Sequence, residues 1–190
     1  MPAHGGAEGR RRTRDGAVSE DRTPTNRKRS AARLAAVQGI YEMDVAGAPP
    51  DIVISEFLKD RWLDRDEDPP LAELDVGHFA ELIRAVAARR EAIDTALDAA
   101  LAQKLKIDRL EVVLRAILRA GAYELSARPD IPANVIINEY LDVAHAFYSG
   151  KEPGLINAVL DTLAAGARPD EAPAGATPAK GAQEAGEREA

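Results

Sequence analysis

Four cations, Arg27, Lys28, Arg29 and Arg33, crowd the start of the first periodic segment of this chain, and Tyr41 follows on the same segment. Arg29 and Arg33 stand four residues apart, the spacing of neighbours on one helical face. A cationic helical end of this kind can track the phosphates of a nucleic acid, and a tyrosine beside it can offer a flat face to an unpaired base. Periodicity alone admits a plainer account, with solvated arginines and a tyrosine at the edge of a core. Arg115 and Arg119 repeat the same spacing; they either extend a basic strip or pair with nearby acids.

Other chemistry is poorly served. The chain has no cysteine, so disulfides and thiolate metal sites are excluded. His4, His78 and His145 are too far apart in sequence to form a local ligand pair. There is no HExxH, no nucleophile elbow and no glycine-rich phosphate loop after a strand. Asp94 and Asp98 lie one helical turn apart, normally the mark of a solvated face. The expectation is a binding protein, not an enzyme, with no metal or cofactor.

The elements that must position these residues read as helices throughout. Thr25 or Asn26 is placed to cap a first helix bearing Leu34, Val37, Ile40 and Tyr41, which Gly47 and Pro49-Pro50 stop. Ile54, Phe57, Leu58 and Trp62 mark a second. Asp64 to Pro70 should be a loop, because its charges repel and its prolines refuse helical hydrogen bonds. Residues 74–105 are helical almost throughout, as one bent helix or as two separated at Ala87–Glu91. Asp108 and Glu111 have capping-box spacing ahead of Val113, Leu114, Ile117 and Leu118. Pro132 and Pro153 sit where first helical turns tolerate proline. Short connectors favour antiparallel neighbours, hence an all-α fold of helical bundles with about seven helices.

Charge is divided along the chain. Residues 1–33 carry nine Lys/Arg against four Asp/Glu, and residues 34–165 carry 13 against 23, within a net charge of −7. A basic arm on an acidic body suggests a polyanion for the one and a basic protein for the other; an acidic protein with an ordinary charged tail gives the same numbers. Residues 1–24 and 166–190 lack large-scale apolar periodicity and are expected to be disordered arms around a folded domain at 25–165. No apolar run approaches membrane length and no secretory signal is evident, so a soluble, cytoplasmic protein is expected.

Four blocks then share one resemblance. Arg27-Lys-Arg-Ser-Ala-Ala-Arg-Leu-Ala-Ala-Val-Gln-Gly-Ile-Tyr41 is similar to the N-terminal helix of the NusB family, an Arg-rich start followed by Ala-Val-Gln-Ala-Leu-Tyr. Leu118-Arg-Ala-Gly-Ala-Tyr-Glu-Leu125, Ile131-Pro132 with Ile137-Asn-Glu139, and Asn157-Ala-Val-Leu-Asp161 follow in the family's order. The resemblance covers roughly residues 27–164.

It implies two small antiparallel helical bundles, one from each half of the domain. It also implies transcription antitermination: pairing with NusE, a small-subunit ribosomal protein, and binding of single-stranded boxA RNA from ribosomal RNA operons within an RNA polymerase complex. A homodimer of the free protein is left open. Carried over residue by residue, Arg27, Lys28, Arg29, Arg33 and Tyr41 fall in the RNA-contacting N-terminal region, and Arg119 falls on the arginine of the Tyr-Glu-Leu block. Gln38, Asn138 and Glu139 also match and are read mainly as polar residues that fix helix packing. The family often reads Ser-Phe-Gly…Phe-Val-Asn-Gly before its last helix; here stands Ala146-Phe-Tyr-Ser…Leu155-Ile-Asn-Ala158. Leucine cannot stack on a base, while Lys151, where acids are familiar, can attract phosphate. The alternative implied by likeness is the related helical domain that precedes the catalytic module of some bacterial ribosomal-RNA cytosine methyltransferases.

Overall fold

The computed structural model describes residues 23–63, 74–102 and 105–171, with the side chains of 61–63 left aside. Seven α-helices run through them: α1 Pro24–Ala46, α2 Pro50–Leu63, α3 Val76–Ala88, α4 Arg90–Ala100, α5 Val112–Ala127, α6 Ala133–Phe147 and α7 Glu152–Ala167. Two single 3-10 turns, Ile107–Arg109 and Pro169–Glu171, complete the described elements, and no strand occurs among them. The expected loop at 64–70 and the arms over 1–22 and 172–190 lie outside the described residues.

Local chemistry explains each boundary. The first helix begins earlier than Thr25: Thr23 is the cap, its hydroxyl accepting from the Asn26 N–H at 3.4 Å, and Pro24 takes the first position where no N–H is needed. It ends at Gly47, whose φ of +67° lets its N–H reach back to the Met43 carbonyl. The 74–105 segment is two helices. Asp75 caps α3 through the His78 N–H, and Arg89, in a turn conformation (φ −114°, ψ 16°), ends it and starts α4. The capping box at 108–111 does not form: Asp108 belongs to a 3-10 turn, and Glu111 caps α5 alone by accepting from the Val113 and Leu114 N–H groups.

Helix α7 passes residue 165, and the residue just beyond it does structural work invisible in the hydrophobic pattern. The Arg168 guanidinium donates to the carbonyls of Glu124, Leu125, Arg128 and Ile131. It thereby closes the C-terminal end of α5 and the turn after it, adding a second donor to the Glu124 and Arg128 carbonyls, which already accept from the Arg128 and Ile131 N–H groups.

The helices α1–α3 and α4–α7 form two packed groups joined along α5, which lies against α1, α3, α4, α6 and α7. One continuous apolar core serves both, with Ile40, Phe79, Leu82, Ile83, Ile117, Leu118, Ile136, Tyr140 and Leu160 fully buried. Close approach sets two positions. A Cβ on Gly39 would sit 2.6 Å from Ile83, and one on Gly121 would sit 3.0 Å from Leu160. These glycines let α1 meet α3, and α5 meet α7, at short range.

Candidate nucleic-acid interface

Helical phase separates the cations of α1. Arg27 and Lys28 are exposed at its first turns. Arg29 is partly exposed and leans towards Asp75 at 3.9 Å, a long and weak pairing. Arg33, expected beside Arg29 on an RNA-facing surface, is turned inward and only 3% exposed. Its Nε and Nη2 donate to both oxygens of Glu124 at 2.7 and 3.0 Å, and its Nη1 donates to Glu139 at 3.1 Å.

The carboxylates around Arg33 are fully engaged. The Tyr140 hydroxyl donates to Glu124 at 2.7 Å, the Ser30 hydroxyl donates to Glu139 at 2.5 Å, and His78 Nε2 stands 3.3 Å from Glu124. Burial would raise the Glu124 carboxyl, but His78 and Arg33 outweigh it and hold the group at about 2. Burial would likewise lower Arg33, yet its Glu124 partner keeps it above the ordinary arginine range. The network ties α1 to α5 and α6 and leaves Arg33 no free face for a phosphate.

Arg119 has the same fate further along the contact between α1 and α5. It is 3% exposed, forked onto Asp94 at 2.7 and 2.8 Å, and bonded to Asp44 at 2.6 Å. Asp44 also receives Arg115 and Arg90, each at 2.9 Å. Of the two alternatives for Arg115 and Arg119, the structure shows pairing with acids: they form a clamp between α1, α4 and α5, not a basic strip. Asp94 and Asp98 are not an idle solvated pair either: Asp98 accepts from the Ile107 N–H at 2.8 Å and from Lys106. A cavity of about 240 Å³ lies beside this clamp, but Asp44, Arg90 and Arg119 in its wall are already paired with one another. Among the described residues no group of His, Asp and Glu is placed to hold a metal, and no helix is long and apolar enough to cross a membrane.

What α1 offers to solvent is one stripe. Gln38, Tyr41 and Val45 recur at three- and four-residue steps, and Arg27 stands in phase with them about three turns earlier. Tyr41 is 41% exposed, so its ring is available. Contacts of Arg33 with Glu124 and of Asp44 with Arg115 make α1 and α5 antiparallel, and the short connector after α5 favours an α6 that turns back against it, in the direction of α1. Lys151 is exposed in the turn that follows α6, with Phe147, 42% exposed, at that helix's end. Leu155 packs partly buried against the core, and Asn157 donates to Asp161 within α7.

Of the three matched polar residues, only Glu139 has a packing role. Gln38 and Asn138 are exposed, and neither amide bonds to a described residue. The buried Arg33–Glu124–Glu139–Tyr140 network was the residue set that charge patterning missed. The available signal was phase, since each of these residues occupies a position that apolar neighbours also fill.

Comparison with known proteins agrees with this architecture. The family model described as the NusB family matches residues 30–165. The transcription antitermination protein NusB of Maricaulis maris is 47% identical over 145 residues, covering 76% of this chain and 91% of that protein. That of Caulobacter vibrioides is 48% identical, covering 74% and 94%. For a solved structure of T. maritima NusB, 25% identical, the TM-score is 0.61 over 76% of this chain and 93% of that one. A crystal structure of NusB and NusE in complex with double-stranded RNA shares the fold at 24% identity, with a TM-score of 0.59 over 74% and 98% of the two chains.

Proposed function

The chain belongs to the NusB family, and from that premise we propose that it binds RNA as a subunit of a transcription antitermination complex. It pairs with NusE and engages boxA-type single-stranded RNA of ribosomal RNA operons in association with RNA polymerase. The observation that carries the reading is the exposed surface of α1, where Arg27 shares a helical face with the available ring of Tyr41 and Lys28 projects from the same first turns. Arg27 and Lys28, with Arg29 released from its long contact to Asp75, attract phosphates; Tyr41 stacks on a base; Lys151 adds attraction at the far end of α6. Arg33 and Arg119 serve the site indirectly, by fixing α1 against α4, α5 and α6. The acidic balance of residues 34–165 suits a basic ribosomal protein. The NusE and double-stranded RNA in the structural neighbour's complex support pairing with NusE and binding of RNA in general.

The test is binding of purified protein, with and without NusE, to boxA-type RNA and to an RNA of permuted sequence. Preferential binding of the boxA-type RNA, strengthened by NusE, is expected. Equal, weak binding of both RNAs in the presence of NusE would refute the proposal.

A further inference from the structure

Resting on the RNA-binding reading above, we propose that Gln38 and Asn138 are base-reading residues that give the interface its sequence preference. The argument begins with what the fold does not use. Gln38 shares a helix face with Arg27 and lies three residues from Tyr41, so one turn of α1 presents an amide next to a stackable ring. Asn138 is exposed although its neighbour Glu139 is drawn inward by Ser30 and Arg33. Neither amide has a hydrogen-bond partner among the described residues. An amide carries both a donor and an acceptor and no charge. It therefore adds nothing to counterion-driven phosphate attraction, while it matches the paired donors and acceptors on a base edge.

The register fixes the height of each amide along α1. Glu139 meets α1 at Ser30 and Arg33, so Asn138 stands level with the cationic end of the stripe. Gln38 lies about 12 Å further along the helix than Ser30, at a rise of about 1.5 Å per residue. A strand following α1 from its cations to Tyr41 would pass Asn138 first and Gln38 second. Cations hold the backbone, the ring accepts any base, and the two amides discriminate.

The experiment compares the full chain with Gln38→Ala and Asn138→Ala for binding to boxA-type RNA and to a permuted RNA of the same length. Both RNAs are measured over a range of salt. Each substitution is expected to cut the ratio of the two affinities about fivefold or more, while the salt dependence for both RNAs stays as in the parent. Gln38→Met and Asn138→Leu, which keep bulk without hydrogen bonding, should behave alike. A ratio unchanged in all four variants overturns this inference and leaves the RNA-binding reading standing. A parent protein that binds neither RNA overturns both.

Discussion

Arg27 and Arg33 lie six residues apart on the same helix and lead opposite lives. Arg27 projects from the first turns into solvent, whereas Arg33 is forked onto Glu124 and Glu139 beneath the surface. The contrast shows that the role of a cation in this protein is decided by helical phase, not by residue type or local charge density. Buried positions turned the arginines of α1 and α5 into clamps with satisfied carboxylates. Exposed positions left the remaining cations available for a partner.

The sharpest way to break the contrast is Arg33→Ala. Removing one partner of a buried pair leaves uncompensated charge, so we expect a stability loss of about 3–5 kcal/mol in denaturant unfolding. A loss below 1 kcal/mol would mean that the network is not holding α1.

Glu124 provides a second test of the same clamp through pH. Its carboxyl is held at about 2 in the folded protein, against 4.5 as its ordinary value. The native state therefore binds fewer protons than the unfolded chain as pH falls below 4.5. Stability from this group is complete above about pH 4.5 and is lost progressively towards pH 2, in total about 3 kcal/mol. Acid titration of unfolding should show that loss, and Glu124→Gln should flatten the curve across this window.

Smaller effects belong to the exposed half of the contrast. Tyr41→Ala should weaken RNA binding by about 1–3 kcal/mol with an unchanged salt slope, because a stacked ring releases no counterions. Arg27→Ala should alter folding stability by less than about 0.5 kcal/mol, since no described contact is lost. A stability change as large as that of Arg33→Ala would erase the distinction between the two arginines.

The fold was legible in the sequence where apolar residues recur at helical spacing. Val37 and Ile40 gave α1 its inward face with Leu34 at its edge, and Ile136, Tyr140 and Val143 did the same for α6. The site was legible only in part. Arg27, Lys28, Tyr41 and Lys151 are exposed as expected of partner-facing residues. Arg33 and Arg119 were misplaced because their carboxylates come from helices distant in sequence, and a one-dimensional count of charge cannot see a salt bridge spanning 91 residues. Gln38 and Asn138 failed in the other direction: polar residues within matched blocks were assigned to packing, but their phase points them outward. Arg168 was hidden for a third reason, because it satisfies backbone carbonyls and leaves no mark in side-chain patterning.

The most direct test of the account is the salt dependence of RNA binding by the Arg27→Ala/Lys28→Ala double variant. Each phosphate contact contributes about 0.7 to the slope of log affinity against log salt for a single strand. The account predicts a slope shallower by about 1.4, with thermal unfolding unchanged. A slope equal to that of the parent protein would contradict it.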